Sequence, residues 1–406
     1  MNRLAQEEFN PLQLRVESIE TYEGLLNLKA DWKALEARDP EMTFFLSWDW
    51  LAEAFRQHPG KWRVLVVRQA REGNRCVGLL PLKYRVLWNA TRNQFETQIE
   101  AGGRLLFSEY TGFLCEAGQD QAVIKALGEA LQRMPWSKLS LRYLAQKQRA
   151  KLFCATFDSP QYSVSWKGYW INKGQTDNLV CPKINLPDQF DTYLSSISAN
   201  TRQQYRRFER RHLLNGECHF TYSDATSLDR DIGLLMKFWR QKWEPLKGRS
   251  NAKMVAGNFE KVLRSAFSLN ALFLPVLWRG ETPLGALGHI VDAKRGAMHF
   301  IIAGRDTSVK EAFVGKALHF HSIKNAVSRG YRYYDFGHGD EPYKFTYGAD
   351  KAKLQYFVIN RSDANAQDVF DPFQYRMALK RVKRFIKTKK MDQARAGWSQ
   401  LDKILD

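Results

Sequence analysis

The sequence lacks the features that mark secreted, disulfide-bonded and membrane-spanning proteins. Its five cysteines are few and far apart: Cys76, Cys115, Cys154, Cys181 and Cys218. An odd number of cysteines without a Cys-x-x-Cys pair predicts neither a disulfide framework nor a zinc site. The N-terminal segment has no apolar stretch of the kind found in secretion signals, and no apolar run approaches the roughly 18 residues of a membrane span. We therefore predict a cytoplasmic protein.

Acidic residues are also scarce relative to basic ones. The chain has 43 Asp and Glu residues against 62 Lys and Arg residues, which gives a net charge of +19. Such an excess predicts an anionic partner, for example tRNA, an acidic glycan, a membrane surface or a phosphorylated ligand. A solvated surface without a specific partner is the alternative. At 406 residues the chain predicts two domains, because single cores stop growing near about 250–300 residues.

Hydrophobic periodicity and turn residues give the two halves of the chain the same order of elements. In the first half, residues 14–38 and 48–57 predict helices, the second with Ser47 as N-cap, and residues 62–84 predict a β-hairpin. The second half predicts, in order, helices at 199–214 and 228–243, a hairpin at 271–291, a strand at 297–303, a helix at 314–329 and a strand at 331–336. The fold class is therefore α/β (α+β), with two similar units whose mixed, mostly antiparallel sheets carry helices on both sides.

We place the unit boundaries from these elements and from the composition between them. The N-terminal unit covers residues 1–178, the C-terminal unit residues 179–361, and a basic helical tail residues 362–406. Within the tail, an apolar stripe that includes Val382 and Phe385 is surrounded by Lys and Arg. Such a helix either packs on its own domain or lies on an anionic membrane or polymer, which would make the protein peripheral at the inner membrane.

The segment from Gly315 to Gly348 has the strongest functional pattern. Gly315-Lys316-Ala317 forms a turn of small residues at the start of a predicted helix, where free N–H groups and the helix dipole favour phosphate. An apolar strand ending in Asp335-Phe-Gly follows, and then a Tyr343-Lys344 loop. This order suits a site where a phosphate-bearing donor meets a nucleophile at the open end of a sheet.

Several motifs together resemble the bacterial GNAT-type acyltransferases, in particular their BioF2-like, Fem-like double-domain branch associated with cellulose biosynthesis. The motifs are Phe45-Leu-Ser-Trp-Asp-Trp-Leu51, Gly78-Leu-Leu-Pro-Leu82, Thr201 to Arg211, Pro283-Leu-Gly-Ala-Leu-Gly-His289, Gly315-Lys-Ala317 and Asp335-Phe-Gly337 with Tyr343-Lys344. The resemblance covers roughly residues 40–350. It implies two tandem GNAT folds, of which the C-terminal one binds acetyl-CoA or another acyl-CoA and transfers the acyl group to an amine.

The resemblance also assigns the donor site. Arg305, Lys310, Gly315, Lys316 and Ala317 would bind the acyl-CoA. The GNAT phosphate loop usually has Gln or Arg three residues before its first Gly, and this chain has Ala312 there, so Arg305 or Lys310 would have to substitute. Fem-type relatives use aminoacyl-tRNA instead, which would also account for the positive charge.

Acyl transfer to an amine needs a proton acceptor and a group that stabilises the oxyanion. His299 lies on the strand before the donor loop, where GNAT enzymes often place a base, and a turn centred on Lys294 would put His289 directly opposite it. The alternative is that both histidines are ordinary sheet residues. Asp335 and His338 end the next strand at the same edge, where Asp335 could instead be a turn residue. Tyr343 would protonate the leaving thiolate and Lys344 would steady an oxyanion or phosphate.

Two further groups of residues carry charge or potential ligands. Arg202, Arg206 and Arg210 share one helical face, with Asn200-Thr201 as the predicted cap, and like charges at this spacing repel unless an anion binds there. We therefore predict substrate binding by these arginines and His289, with a solvated face as the alternative. His319 and His321 point about 200° apart on a helix, so they cannot chelate one ion together, and we predict no metal.

These observations leave three hypotheses for the function. The first is an acyl-CoA-dependent N-acyltransferase that acts on a sugar amine or another precursor of the cell envelope or an exopolysaccharide. The second is a Fem-like transferase that uses aminoacyl-tRNA. The third is a catalytically idle basic module that binds anionic polysaccharide or nucleic acid.

Overall fold

The computed structural model describes residues 14–70, 73–309, 313–362 and 366–404. They form two units. Unit one comprises the described residues up to Lys167 and again from Leu354 onwards, and unit two comprises Gly168–Lys353. The sequence-based division at residues 178 and 361 differs from this one, because the chain returns to unit one before the basic tail begins.

Unit one begins with seven strands and five helices: β1 Leu14–Ile19, α1 Tyr22–Asn27, α2 Lys29–Arg38, α3 Trp48–Arg56, β2 Trp62–Gln69, β3 Arg75–Asn89, β4 Gln94–Ala101, β5 Leu114–Cys115, α4 Asp120–Gln132, β6 Lys138–Leu144, α5 Lys147–Ala155 and β7 Tyr162–Trp166. The predicted hairpin is confirmed as β2 and β3, with Val64 opposite Pro81. The predicted cap of α3 is also confirmed, because the Ser47 hydroxyl accepts a hydrogen bond from the Trp50 N–H.

The helix predicted over residues 14–38 is wrong in its first part. Leu14–Ile19 is a strand that pairs antiparallel with β2, with Val16 opposite Val67. A chain segment of six residues can satisfy its backbone at the edge of an existing sheet, and a local periodicity does not reveal that edge. The helical pattern holds only from Tyr22, where Leu25, Trp32 and Leu35 are buried against the unit.

Unit two has eleven further strands and helices in its first part: β8 Trp170–Ile171, β9 Thr176–Asp177, β10 Val180–Asn185, α6 Phe190–Ser196, α7 Ala199–Phe208, β11 Cys218–Tyr222, α8 Leu228–Lys247, α9 Arg249–Ser268, β12 Leu272–Phe273, β13 Pro275–Arg279 and β14 Thr282–Asp292. It continues with β15 Ala297–Arg305, α10 Val314–Ser328, β16 Tyr333–Asp335, α11 Pro342–Phe345 and β17 Asp350–Lys353. The cap of α7 is Ser198, which accepts from the Thr201 N–H, rather than the predicted Asn200-Thr201.

The chain then re-enters unit one with β18 Gln355–Arg361, α12 Ala366–Val369, α13 Tyr375–Lys387 and α14 Met391–Asp402. β18 lies between β6 and β7 in the first sheet, whose order is β1-β2-β3-β4-β6-β18-β7 with β5 beside β3. The tail helices pack on β3 and β4: Val382 joins a cluster with Val86 and Phe95, and the Phe385 ring stacks 6.1 Å from that of Phe95. Within the described residues, no helix combines the length and the apolar character that crossing a membrane requires.

The second sheet has the order β11-β13-β14-β15-β16-β10-β17, with β12 beside β14. Its neighbouring strands are antiparallel except for β15 and β16, which run parallel over only three residue pairs, from Ala297 with Tyr333 to His299 with Asp335. β16 ends there, while β15 continues to Arg305. Beyond Asp335 the two strands are therefore unpaired with each other, and this gap in the sheet positions the site.

A β-bulge in β15 corrects the predicted pairing of two histidines. Gly288 pairs with Ile302 and His289 pairs with Phe300, so Ile301 is the extra residue. His299 pairs with Ile290, one position away from the predicted partner His289. Because neighbouring residues of a strand point to opposite faces, this shift puts His289 and His299 on different sides of the sheet.

Candidate functional site

A cavity of about 340 Å³ lies where β15 and β16 part. Its walls come from α8, β14, β15, the first turns of α10, and α11 with the residues that follow it. Ala303 and Gly304 form the floor, and His319, Tyr343 and Tyr347 form one wall. The cavity therefore lies in the gap that the sheet topology leaves open.

Close packing of α8 on β15 depends on Gly304. A Cβ at this position would lie 2.7 Å from the Leu235 carbonyl oxygen and 2.8 Å from the Phe238 Cβ. Any side chain larger than hydrogen would push α8 away from the sheet. This close approach keeps α8, and with it Lys242, at the edge of the cavity.

The cavity is cationic at its mouth. Lys242, Arg305 and Lys316 line it, and no Asp or Glu is among the described residues that do. Lys316 donates a hydrogen bond to Gln204 Oε1 at 3.0 Å, which ties the first turn of α10 to α7. Three cations in a described lining that contains no carboxylate favour an anionic ligand.

The N-terminus of α10 adds backbone donors to these cations. No side chain among the described residues caps this helix, whose N-cap is Phe313. The first N–H groups of a helix have no intrahelical acceptor, and the helix dipole makes this end positive. A Cβ on Gly315 would meet nothing within 4 Å, so this position leaves open space beside the backbone.

Of the predicted donor residues, Arg305, Gly315 and Lys316 line the cavity. Ala317 is buried in α10. Lys310 lies outside the described residues, as does Ala312.

A chain of buried hydrogen bonds leads from the core of unit two to this cavity. The Tyr334 hydroxyl lies 2.9 Å from His289 Nε2 and 2.9 Å from His319 Nδ1. His289 Nδ1 lies 3.2 Å from the Phe273 carbonyl oxygen. His289 is fully buried, Tyr334 is fully buried, and His319 is 3% exposed and lines the cavity.

The order of donors in this chain fixes the tautomers. A carbonyl oxygen only accepts, so His289 Nδ1 carries a hydrogen, and the Nε2 of the neutral ring then accepts from Tyr334. The Tyr334 oxygen in turn accepts from His319 Nδ1–H. His319 Nε2 is thus the unprotonated nitrogen, and among the described residues it has no hydrogen-bond partner. These protonation states are assigned from the network of partners.

Burial keeps both rings neutral. It lowers the pKa of His289 to about 3, and it lowers the pKa of His319 well below its usual value, with the charge of Lys344 acting in the same direction. The nearby Ser322 donates its own hydroxyl proton to a carbonyl of α10, so it does not protonate either imidazole. His319 therefore presents a lone pair, rather than a charge, to the cavity.

Tyr343 and Tyr347 border His319 on the side of α11. Their ring centroids lie 6.0 Å and 5.3 Å from that of His319. Burial and then the carboxylate of Glu341 raise the pKa of Tyr343, although the residue as a whole is 41% exposed. The phenol of Tyr343 is therefore protonated at neutral pH.

His299 and Asp335 form a separate pair outside the cavity lining. His299 Nδ1 lies 3.2 Å from Asp335 Oδ2, and Asp335 Oδ1 accepts from the Gly337 N–H at 2.8 Å. Asp335 follows Tyr334 directly, so its side chain points to the opposite face of the sheet. The structure brings these two predicted residues together, but away from His319.

Lys344 has a different place from the one predicted. Its ammonium donates to the carbonyl oxygens of His338 at 2.6 Å and Gly339 at 3.0 Å, and it pairs with Glu341 at 3.0 Å. Two hydrogens of the ammonium are thus donated within the loop, its charge is paired with the Glu341 carboxylate, and only 3% of the residue is exposed. Lys344 and the His338 carbonyl therefore hold the loop that carries Tyr343, and the geometry does not support contact of Lys344 with an oxyanion or phosphate.

The three predicted arginines do not act as one set. Arg202 donates to the carbonyl oxygens of Leu194, Ser195 and Ile197, which end α6. Arg206 makes a weak, exposed ion pair with Asp191 at 4.0 Å. Arg210 lies beyond α7, in a π-turn at Glu209–Leu213, so the regular spacing of the helical face ends before it.

The remaining histidines have packing partners. His321 Nε2 lies 2.9 Å from the Tyr222 hydroxyl, and its ring stacks 3.6 Å from that of Phe220. Within the described residues, His212, Glu217 and Cys218 form one group whose ligand atoms lie within 4.8 Å of one another. The His212 Nδ1 and Glu217 Oε2 atoms are 2.8 Å apart, as in an ordinary hydrogen bond.

Sequence reasoning missed His319 and Tyr334 as functional residues. The sequence pattern raises His319 only as a possible metal ligand and places Tyr334 only within an apolar strand. One signal in the sequence could identify them: each is a residue with a polar group inside an apolar segment, His319 in the helix and Tyr334 in the strand. Buried polar groups are rare and need partners, so such positions indicate a hydrogen-bonded pair. Their partnership depends on three elements far apart in the chain.

Comparison with known proteins agrees with this geometry. Residues 199–345 match the family model described as Acetyltransferase (GNAT) domain. No curated protein sequence matches the chain. A solved structure described as the crystal structure of FemX aligns with 89% of this chain and 99% of its own, at 11% identity and a TM-score of 0.57. A conserved protein of unknown function from Bacteroides thetaiotaomicron aligns over 86% and 100%, at 13% identity and a TM-score of 0.50.

At these identities the structural likeness concerns the fold alone. The family model covers the cavity, α10, β16 and α11, and the order β13-β14-β15-α10-β16 of unit two recurs in unit one as β2-β3-β4-α4-β6. The resemblance and the fold class inferred from the sequence are therefore confirmed. Residues 199–345 match a GNAT acetyltransferase domain, and the chain folds as two tandem GNAT-like units whose fold is similar to that of FemX.

Proposed function

We propose that the protein is an acyl-CoA-dependent N-acyltransferase that transfers an acyl group to an amine. The observation that carries this proposal is the cationic cavity at the parting of β15 and β16, with the uncapped N-terminus of α10 at its mouth. It lies inside a domain of a family whose members generally use acyl-CoA donors. The amine would belong to a sugar or another precursor of the cell envelope or an exopolysaccharide.

The residues present suit a CoA diphosphate. Backbone N–H groups at Gly315 and Lys316 provide donors, and Lys316, Arg305 and Lys242 provide compensating charge. Gly315 leaves the space that a side chain would fill, which allows phosphate oxygens to approach the backbone. The substitution of Ala312 for the usual Gln or Arg is then offset by cations from α8, β15 and α10.

His319 would accept the proton that the amine loses. Its Nε2 is unprotonated, lies at the cavity and is held in this tautomer by Tyr334 and His289. A general base is effective when it is in the correct protonation state and within hydrogen-bond reach of its substrate. A neutral imidazole in a cavity with no carboxylate satisfies the first condition and allows the second.

Tyr343 would supply a proton to the departing thiolate. The acyl donor contributes a thioester, whose C–S bond breaks as the new bond between the acyl carbon and the amine nitrogen forms. One proton passes from the amine nitrogen to His319 Nε2, and one passes from the Tyr343 hydroxyl to the sulfur, so charge and atoms balance. The protonated state of Tyr343 at neutral pH supports this role.

A Fem-like use of aminoacyl-tRNA is the second candidate for the donor. The fold shared with FemX and the net charge of +19 favour it. Binding of tRNA would neutralise many phosphates and would therefore weaken steeply as salt increases, whereas a CoA site contacts few phosphates. A basic module without catalysis remains the third candidate and predicts no acyl transfer.

Calorimetric titration of the full chain with CoA, acetyl-CoA, longer acyl-CoAs and tRNA tests the donor. We expect acyl-CoA binding that weakens about tenfold in Lys316→Gln, because one charge-assisted contact to phosphate is lost. Lys253→Gln on α9 is the matched control, since Lys253 is exposed and does not line the cavity. Absence of binding by every acyl-CoA would refute the proposal, and binding by tRNA alone would favour the second candidate.

A further inference from the structure

Unit one contains a second cavity, which lies against two parallel strands of its own sheet. β4 and β6 run parallel over three residue pairs, from Gln98 with Lys138 to Glu100 with Ser140, and then β4 ends at Ala101. A cavity of about 230 Å³ lies against this pair.

Four cations and one carboxylate line this cavity. The cations are Arg85, Arg104, Lys138 and Arg142, and the carboxylate is Glu100. Lys138 and Arg142 alternate with buried Leu139 and Leu141 along β6, so they share the face turned away from the core. The excess of positive charge is therefore built into the strand pattern.

The single carboxylate is already bound. Glu100 accepts from Lys83 at 2.7 Å and from Arg85 at 2.8 Å. Burial alone would raise the pKa of Glu100, but Lys83 and Arg85 hold it at about 2. Glu100 thus compensates mainly the two cations of β3.

Arg104 is the most constrained of these cations. Its Nη1 donates to the Ser108 carbonyl oxygen at 2.9 Å, its Nε is buried without a partner, and its guanidinium lies 4.8 Å from the ring centre of Tyr143. Burial and the charge of Arg142 lower the pKa of Arg104. Among the described residues, neither Arg104 nor Lys138 forms an ion pair. A partly buried cluster of like charge is unfavourable unless an anion completes it.

We propose that this cavity of unit one binds an oxyanion of the phosphate class, held by Arg104, Lys138 and Arg142 with the Ser140 hydroxyl as a further donor. Guanidinium groups match phosphate geometry through paired N–H donors, and Lys adds a compact charge. The volume is below that of pockets for drug-sized ligands, so a phosphate or diphosphate group enters rather than a whole nucleotide. The ligand carrying the group is either a soluble phosphate ester or a lipid head group.

The proposal is independent of acyl transfer and is tested by binding. Full-length protein carrying Lys316→Gln, which weakens the cavity of unit two, is titrated calorimetrically with inorganic pyrophosphate at low ionic strength. Adding Lys138→Gln and Arg142→Gln should weaken binding about tenfold or more, because two charge-assisted contacts are lost. Lys151→Gln on α5 makes the same type of change at an exposed position outside the cavity and should leave the affinity within about twofold.

A variant with the opposite expected effect on affinity keeps the test valid if the double variant misfolds. Glu100→Gln removes the one carboxylate of the cavity and should tighten pyrophosphate binding about threefold or more. Unchanged affinity in the Lys138→Gln, Arg142→Gln protein, or an equal loss in Lys151→Gln, would overturn the proposal. If the double variant does not fold, Glu100→Gln decides, and absence of tightening overturns the proposal.

A second arm uses vesicles of phosphatidylcholine with and without phosphatidylglycerol. Binding to the anionic vesicles that is lost in the Lys138→Gln, Arg142→Gln protein identifies a lipid head group as the source. Binding of pyrophosphate alone identifies a soluble phosphate ester. Binding of neither would overturn the assignment, whatever the result of the acyl-transfer assay.

Discussion

Replacing Tyr334 by Phe tests the hydrogen-bond chain on which the proposed chemistry depends. The substitution keeps the ring, which packs between His319 and Phe336, and removes only the hydroxyl. That hydroxyl lies 2.9 Å from both His289 Nε2 and His319 Nδ1. Two buried imidazole nitrogens therefore lose their partner in a single change.

Two effects follow from this loss. Each buried polar group left without a partner costs about 1–3 kcal/mol, so the loss of two partners should lower the free energy of unfolding by roughly 2–6 kcal/mol. The tautomer of His319 is also released, because Nδ1–H no longer has an acceptor. If the ring then places its hydrogen on Nε2, the base is lost, and kcat should fall about 10- to 100-fold with little change in donor KM.

The assay combines urea unfolding with steady-state kinetics on the folded protein. Tyr193→Phe is the matched control, because the Tyr193 hydroxyl is buried and donates to the Tyr347 carbonyl oxygen at 3.1 Å. It should cost about 1 kcal/mol of stability and leave kcat unchanged. If Tyr334→Phe is destabilised like the control but retains full kcat, then His319 is not the proton acceptor and the reasoning fails.

Further predictions concern pH, two glycines and one lysine. His289 and His319 stay neutral in the folded protein, because burial lowers their pKa, whereas in the unfolded chain their pKa is about 6.5. Protons therefore bind to the unfolded state first as the pH falls. The free energy of unfolding should be highest above pH 6.5 and should fall by about 2 kcal/mol per histidine between pH 6.5 and 5. Urea unfolding at pH 7, 6 and 5 measures this loss. The protein with both His289→Gln and His319→Gln should lose this pH dependence, so a free energy of unfolding that falls with pH as steeply as in the wild type would contradict the prediction. Gly315→Ala should keep or slightly raise the unfolding temperature while weakening acyl-CoA binding, whereas Gly304→Ala should cost about 1–3 kcal/mol or more of stability; equal melting curves would contradict this contrast. Lys344→Met should lower stability by about 3 kcal/mol, seen as a shifted urea midpoint, because it leaves the Glu341 carboxylate and two carbonyls unpaired; an unshifted midpoint with reduced kcat would restore a role in the chemistry.

Local signals in the sequence identified most elements near the site. The hairpins of both units, α10 and β16 carry alternation, helical spacing and turn glycines within short windows, so their prediction needed no distant partner. The Gly315 turn and Arg305 lie at the cavity as expected from the resemblance. The same local reasoning failed at β1, whose strand character comes from its pairing with β2.

The pairing of His289 could not be deduced from the spacing of the turn. The bulge at Ile301 shifts the register by one residue, and a shift of one exchanges the two faces of a strand. His289 therefore meets Tyr334 and His319, while His299 meets Asp335. No composition or periodicity specifies such a bulge, and the catalytic assignment depends entirely on it.

The two units share a topology but differ in the helix that follows the parting strand. In unit two, α10 begins without a side-chain cap among the described residues, and its first turn lines the cavity. In unit one, α4 also begins without a side-chain cap among the described residues, but its first turn contains Asp120, whose carboxylate accepts from Arg149 and places negative charge at the positive end of that helix. The cations of the unit-one cavity come instead from the sheet.

This difference predicts where acyl-CoA binds. Donor phosphates should bind at a helix N-terminus that lines a cavity and carries no carboxylate, so unit two should take one acyl-CoA per chain and unit one should take none with comparable affinity. Calorimetric titration of the wild type should therefore give a stoichiometry of about one, and Lys316→Gln should weaken this same site. Lys138→Gln with Arg142→Gln should leave acyl-CoA affinity within about twofold while reducing pyrophosphate binding. Two equivalent acyl-CoA sites, or one that depends on Lys138, would show that the helix terminus does not select the donor.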